Sequence, residues 1–579
     1  MFSWLRKFSR AGRLAAGETA DDFRRLSEIE SRAGRHREAA DLLLRAIEAK
    51  PRVAEYHYGL GRVMRALDEP ARAVTCFRKA IELDPAHCDA HVDLASTMLG
   101  TGNPLAAEQS ARSALALDGR SVPAHINLGA ALEQQGKFAD AALSYRAALG
   151  IDADCLPALL NLGSLCLRQG EIDEAERCIA HALRISPDHF AAHMQRGNLL
   201  LEQRQPEQAE QSYRQALRLR PGDAAAQSSI GFTFDMRGRY AEAMDHYDRA
   251  IALDPGYLPA HLNRAAIWLL NEDYARGWRE YERRLGSAEL APLHQRFTPP
   301  LWDGSSLAGR KILVYSEQGL GDEILFASCL PDIVAQAGHC IIDCNPRLAE
   351  LFRRSFPQAT VHGGGQTDPT GWLDGLGPVD CKVPAGSLPL HLRSRPEDFP
   401  PHAGYLRAAP ERVDAWRERL HALGPGPKIG LSWRGGVPQT GRGSRSIGLA
   451  ELLPVLRMRN ATFVSLQYGP CDAELAAFER EHGIGIRHWQ EAIDDYDQSA
   501  ALVCALDLVI SVCTAIVDLA GALGRPAWVL APVRTDFRYG LAGAAMRWYP
   551  SVRMFRQVRY GDWGPVIGAV AAELDRLAR

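Results

Sequence analysis

Paired cysteines, a surplus of one charge and a long uninterrupted apolar run are all missing from this sequence. Its twelve cysteines are scattered and include no Cys-x-x-Cys pair. Several, such as Cys76, Cys166 and Cys178, fall at small-residue positions of helical segments. A disulfide framework is thereby excluded, and a reduced, cytoplasmic setting is expected. Lys and Arg number 67 against 70 Asp and Glu, a formal net charge of −3, so there is no broad basic surface and no nucleic-acid partner is expected. The most apolar stretch, Ala500 to Leu523, is broken by Asp507 and Asp518, which argues against a transmembrane segment. The first residues carry Arg6, Lys7, Arg10 and Arg13 without the apolar stretch of a secretory signal. A frayed tail over 1–19 is expected, with a weak membrane-surface role for Phe2, Trp4, Leu5 and Phe8 as the alternative. What is present is length: 579 residues, 46% of them hydrophobic, too many for one core and enough for two or three.

The strongest pattern is a repeat. Pro51, Pro85, Pro187, Pro221 and Pro255 are separated by 34 residues or a multiple of 34. Twelve residues before each stands an alanine (Ala39, Ala73, Ala175, Ala209, Ala243), and five before each another (Ala46, Ala80, Ala182, Ala216, Ala250). Between them fall Leu43, Phe77, Ile179, Tyr213 and Tyr247, and glycines recur in the same period at Gly61, Gly129, Gly163, Gly197 and Gly231. Two further units carry Gly119 and Ala153 in place of proline but keep Ala107, Ala114, Ala141 and Ala148. The pattern resembles the tetratricopeptide repeat. Small residues allow two helices to cross closely, a bulky residue fills the gap beside them, and proline stops the second helix. Seven units are expected from about Ala20 to Tyr257, with a divergent eighth containing Trp278, Tyr281 and Arg284 as the cap of the stack. Such a solenoid offers a concave face to a peptide or protein and has no chemistry of its own. Asn127, Asn161 and Asn198 are candidates to touch a peptide backbone, with a solvated surface or local capping as the alternative.

Near residue 295 the pattern changes. Ile312-Leu313-Val314-Tyr315 reads as a buried strand, followed by the glycine loop Glu317-Gln318-Gly319-Leu320-Gly321-Asp322, a helical stretch, and a second strand at Cys340 to Asp343. A second start appears at Lys428 to Gly436, with strands at Thr462 to Gln467, Leu508 to Ser511 and Ala527 to Leu530. Two open α/β halves with a cleft between them follow. The expected fold class is therefore an α-solenoid followed by an α/β module of two Rossmann-like halves. Its expected boundaries are a tail at 1–19, the solenoid at 20–291, and the two halves at 296–410 and 411–579.

These motifs, together with Ser432-Trp433-Arg434-Gly435, Ser465-Leu466-Gln467, Leu519 to Leu530 and Trp548-Tyr549-Pro550-Ser551, resemble the C-terminal domain of bacterial tetratricopeptide-repeat proteins related to heptosyltransferase-like glycosyltransferases. The resemblance implies the two-lobed GT-B fold, transfer of a sugar from a nucleotide-sugar co-substrate, and no metal or other cofactor. Some relatives look like protein glycosyltransferases, including those that modify flagellin. The sequence departs from the family pattern at two positions: Cys513 stands where Asp is common, and Asp518 where His is common.

Glycosyl transfer to a hydroxyl needs a base, and Asp322, which ends the Gly319-Leu320-Gly321-Asp322 loop, matches the residue that fills that role in the family. Helix capping is the alternative, and Glu317 and Glu323 are weaker candidates. The departing diphosphate needs positive potential. Ser511, Cys513 and Thr514 open a helix after a strand, and Arg434 or Arg445 could close over the phosphates from an Arg-rich loop; a flexible surface loop is the alternative. Gln467, at a strand end, is a candidate to touch base or ribose, or to cap its own loop. Cys513 reads as a small buried thiol, not a nucleophile, and Arg538 and Arg556 as makers of structural pairs. The expected function is an inverting, metal-independent glycosyltransferase whose solenoid captures the acceptor protein. The competing expectation is an inactive scaffold or chaperone with a degenerate nucleotide-binding module.

Overall fold

The computed structural model describes residues 19–288, 290–364, 370–436 and 445–577. The proposed membrane-surface residues Phe2, Trp4, Leu5 and Phe8 lie outside them. By packing, the chain divides into Met1–Leu199 and Leu200–Arg579.

In both units the repeats are pairs of antiparallel-running helices, beginning with Ala20–Arg32 and His36–Ala49 and ending with Leu258–Leu270 and Tyr274–Tyr281. Within each pair the chain turns through a left-handed residue: Gly34, Asp68, Gly102, Gly136, Gly170, Arg204, Gly238 and Glu272, with φ between 59° and 78°. These stand 34 apart, so eight repeats are marked by backbone conformation even where glycine, the residue that adopts it most readily, is replaced. Both alanines of the first seven repeats are fully buried, from Ala39 and Ala46 to Ala243 and Ala250. The helical glycine makes room for the ring sixteen residues on. A Cβ on Gly61 or Gly129 would lie 2.5 Å from Phe77 or Tyr145. A histidine recurs in the same period: His57, His91, His125, His193 and His261 each place Nε2 2.7–3.2 Å from the carbonyl six residues earlier. Those carbonyls follow the end of the preceding helix, so the ring joins one repeat to the next. Asn127 neither caps locally nor stands free in solvent; its amide donates to the Val92 carbonyl one repeat back (3.0 Å).

The unit Leu200–Arg579 carries two parallel sheets. One has β1 (Lys311–Tyr315), β2 (His339–Asp343), β3 (Thr360–His362) and β4 (Cys381–Pro384) in the order β3-β2-β1-β4. The other has β5 (Lys428–Ser432), β6 (Thr462–Ser465), β7 (Ile486–His488), β8 (Leu508–Val512), β9 (Ala527–Ala531) and β10 (Val552–Arg556) in the order β10-β9-β8-β5-β6-β7. Fully buried strands such as β5, β8 and β9 are what a parallel sheet covered on both faces requires. The second order is that of a doubly wound parallel sheet, with its switch point between β5 and β8.

The eighth repeat shares its apolar core with the α/β portion that follows it. Trp278 belongs to one continuous apolar core with Val314 of β1 and Val509 of β8. It is 1% exposed and packs against Phe326, Phe537 and Trp548. Burying an indole on residues from both sheets' surroundings fuses the last repeats to the module.

Candidate functional site

The carboxyl end of β1 leads through Ser316 to Gly319 into the short helix Leu320–Phe326, whose first turn carries Asp322. Asp322 stands at the third position of that helix and not at its cap, which is Gly319. Its carboxylate instead accepts from Nη2 of Arg538. Arg538 also donates through Nη1 to Asp518 (3.1 Å) and through Nε to Asp536 (3.0 Å). One buried guanidinium thus holds three carboxylates, one from the first sheet's surroundings and two from the second's. Asp518 sits in the helix Ala515–Ala522, after β8. Burial pushes its carboxyl up to about 7 against the pull of Arg538 and with the help of Asp322. Asp536 is lowered, because Arg538 outweighs the burial that opposes it. The close approach of the two helix starts depends on Gly321: a Cβ there would lie 3.0 Å from Oδ2 of Asp518 and 3.2 Å from Cβ of Ala515.

The other two acidic candidates do not face this centre. Glu317 is buried in an ion pair with Arg284 (2.7 Å). Glu323 is buried, accepts from the Asn345 N–H (2.7 Å), and is pushed up to about 8 by burial and further by Asp343.

The expected donor-side residues divide into two groups. Ser511, Cys513 and Thr514 lie together at the carboxyl end of β8, where the Ser511 hydroxyl bonds the Val512 carbonyl (2.7 Å) and the Thr514 hydroxyl (3.0 Å). Thr514 is the cap residue of Ala515–Ala522, and its hydroxyl makes no cap bond to the first N–H groups of that helix. Cys513 is 3% exposed, and burial raises its thiol to about 12, consistent with an inert thiol. Arg445 is near enough for its charge to act on Cys513 and Asp536. Arg434 and Gln467 form the second group. Arg434 pairs with Glu474 (2.9 Å) and donates to the Pro470 carbonyl (2.8 Å), so it braces the loop after β6. Gln467 is buried, and its Oε1 accepts the N–H groups of Trp433 (3.0 Å) and Arg434 (2.9 Å). Its Nε2 donates to the Tyr468 carbonyl (3.0 Å). The reading of Gln467 as a ribose or base contact therefore gives way to loop capping, because both ends of the amide are committed. The loop between Arg434 and Ser446 lies outside the described residues at 437–444.

Arg538 is the residue that sequence reasoning misplaced. It does make ion pairs, but at the centre of the site, 216 positions from Asp322; no local motif marks it. Arg556 donates to the Gly540 and Gly543 carbonyls (3.0 and 2.9 Å) and braces the segment that follows Arg538.

Among the described residues the three ligand-type groups close enough to share a metal are Cys166, Glu171 and Glu174, where Arg146 already pairs with Glu174 (2.6 Å) and Glu171 (3.7 Å). No helix among the described residues is long and apolar enough to cross a membrane.

A tetratricopeptide-repeat family model matches residues 25–87, 92–155 and 194–257, and a second one matches 154–222. Protein FlbA of Caulobacter vibrioides is 37% identical over 328 residues, covering 54% of this chain and 54% of FlbA. The chain thus spans about half the length of that relative. Among solved structures, the chain is similar to PilF of Pseudomonas aeruginosa at 23% identity, covering 37% of this chain and 99% of PilF with a TM-score of 0.33. YrrB, described as a tetratricopeptide-repeat protein with an unusual peptide-binding site, matches at 21% identity over 31% of this chain and 91% of its own, with a TM-score of 0.27. The helix pairs and the repeat matches agree: the chain carries tetratricopeptide repeats ahead of two parallel sheets, and it is similar to FlbA over part of its length.

Proposed function

We propose that this chain is a glycosyltransferase of the two-lobed GT-B type. It would move a sugar from a nucleotide-sugar to a hydroxyl of a protein held on the concave face of its repeats, in the cytoplasm and without a metal. The observation that carries the reading is the placement of Asp322. It leaves the carboxyl end of β1 and lies beside the helix that starts at the carboxyl end of β8, the side on which doubly wound sheets bind nucleotides.

In the proposed reaction Asp322, released from Arg538, takes the proton of the acceptor hydroxyl as its oxygen attacks C1 of the sugar. The bond from C1 to the diphosphate oxygen breaks, and the diphosphate leaves with the electron pair. Its charge is met by the N–H groups at the start of Ala515–Ala522, the Thr514 hydroxyl and Arg445. C1 is inverted because attack and departure occur on opposite faces.

A second reading is favoured by the Arg538 contacts. A carboxylate already ion-paired to Arg538, a guanidinium that acts on the buried Cys513 as well, also suits a module that only scaffolds a bound protein. The two separate in a transfer assay with purified full-length chain and its co-purifying partner. Asp322→Asn and Thr514→Ala lower sugar transfer at least a hundredfold and leave partner affinity unchanged under the first reading. Under the second, wild type transfers nothing and neither variant alters binding.

A further inference from the structure

Both loops that meet at Asp322 are held from the same side, by the last repeats. The glycine loop is held through Glu317 and Gln318. Glu317 accepts from Nε (3.1 Å) and Nη2 (2.7 Å) of Arg284. Gln318 accepts the Tyr281 hydroxyl (2.9 Å) and donates to Glu317 (3.0 Å). Arg284 further donates to the Ser387 hydroxyl (2.9 Å) and to Glu282 (2.6 Å). Space for this cluster exists because residue 386 is glycine; a Cβ there would lie 2.5 Å from Oε1 of Glu317 and 2.6 Å from Nε2 of Gln318.

The second loop carries Arg538. Arg534 donates to the buried Asp235 of the helix Ala224–Met236 (2.9 Å). The Tyr240 hydroxyl donates to the Val533 carbonyl (3.2 Å). Phe537 meets the edge of Trp278 with ring centroids 5.3 Å apart, and Arg547 is bidentate on Glu272 (2.7 and 2.8 Å).

Position decides how Arg284 should be read. It stands 34 residues after Ala250, where the seven preceding repeats all bury an alanine. In the eighth the α-helix ends at Tyr281 and a 3-10 turn, Glu282–Gly286, takes its place. The repeat thus gives up its own helix packing and sends a guanidinium into the α/β module. A buried ion pair adds little stability over an apolar contact, because two charges lose their water, but it fixes geometry through directional bonds. An arginine here is poorly suited to adding stability and well suited to setting the position of the loop it grips.

We propose that Tyr281 and Arg284 are positioning residues: the last repeat, through Gln318 and Glu317, sets where Asp322 stands, so that the repeat stack and the site form one working unit. The role of Asp322 in this statement rests on the glycosyltransferase reading; the grip on the loop does not.

The test is peptide-resolved hydrogen exchange on the purified full-length chain, with Tyr281→Phe, Arg284→Lys and the paired change Arg284→Met with Glu317→Gln, which removes both buried charges together. Exchange at residues 316–323 is expected to rise at least tenfold in all three, while Lys311–Tyr315 and residues 508–514 keep their wild-type protection. In the transfer assay kcat falls at least tenfold with KM for the acceptor unchanged. Unaltered exchange at 316–323 in the paired variant overturns the proposal. If Arg284→Lys also exposes Lys311–Tyr315 it has unfolded the module, and Tyr281→Phe, which deletes one hydroxyl, then decides. Loss of the glycosyltransferase reading is distinguishable, since it shows as no transfer by the wild type, or as transfer unaltered in Asp322→Asn, and leaves the exchange result standing.

Discussion

Replacing Trp278 by alanine tests whether the eighth repeat is core or cap. The indole is 1% exposed and meets Phe537 at 5.3 Å, Tyr281 at 5.9 Å, Trp548 at 6.3 Å and Phe326 at 6.4 Å between ring centroids. Its Nε1 donates to the Arg393 carbonyl (2.9 Å). Truncating a buried Trp to Ala costs about 3–5 kcal/mol through lost burial and the cavity left behind. The orphaned carbonyl adds about 1 kcal/mol. Against a typical domain stability of about 5–15 kcal/mol, the loss is a large fraction of the total for Leu200–Arg579. Trp278→Phe keeps a ring and loses the hydrogen bond, so its cost is expected nearer 1–2 kcal/mol. A chain of two packing units does not unfold in one step, so the assay is hydrogen exchange resolved by segment. In Trp278→Ala, residues 232–281, 311–343 and 508–556 lose protection together, and residues 20–185 keep theirs. Loosening confined to 258–286, with both sheets unchanged, would refute the shared core and return the repeat to the role of a terminal cap.

Gly129→Ala places a methyl 2.5 Å from the Tyr145 ring and should cost about 1–3 kcal/mol by overpacking. Adding Tyr145→Ile, copying the Gly163–Ile179 pair whose corresponding distance is 3.3 Å, should restore most of it in urea titrations. Asp68 is exposed with φ 59°, so Asp68→Gly should raise the urea midpoint by an equivalent of roughly 0.5 kcal/mol, the relief of left-handed strain less the added chain entropy. Glu323 is raised from 4.5 to about 8 by burial. Its folded form holds a proton that the unfolded form releases, so its contribution is complete below pH 4.5 and is lost as pH rises through 8. Glu323→Gln keeps an acceptor for Asn345 and should flatten that decline, gaining on wild type by up to about 5 kcal/mol at pH 9; equal pH profiles would contradict the assignment.

Periodic features were legible because each repeat states its packing locally. A 34-residue spacing names the buried alanines, the ring beside Gly129 and the stop at Pro85 without any distant partner. The histidine ladder from His57 to His261 was equally visible in the spacing and was missed, since the carbonyl each ring reaches six residues back is brought to it only by the folded turn. The six inner strands β1, β2, β5, β6, β8 and β9 showed as apolar runs, the four edge strands β3, β4, β7 and β10 did not, and the glycine loop placed Asp322 at a strand end. Arg538 and Arg284 were not legible. Arg538 acts on Asp322 across 216 positions, and Arg284 acts on Glu317 only because the eighth repeat breaks its own rule at the alanine position. Gln467 kept two readings open for a related reason: a polar residue at a strand end looks alike whether it faces a ligand or the neighbouring backbone, and only the Trp433 and Arg434 amides decide.

Intact-mass analysis of proteins that co-purify with the chain, from cells carrying wild type and from cells carrying Asp322→Asn, bears most directly on the central claim. A bound partner with a sugar-sized mass increment in the wild type, absent in the variant although the partner is still bound, is the predicted result. A partner that is bound and unmodified in both, or modified equally in both, contradicts transfer through Asp322.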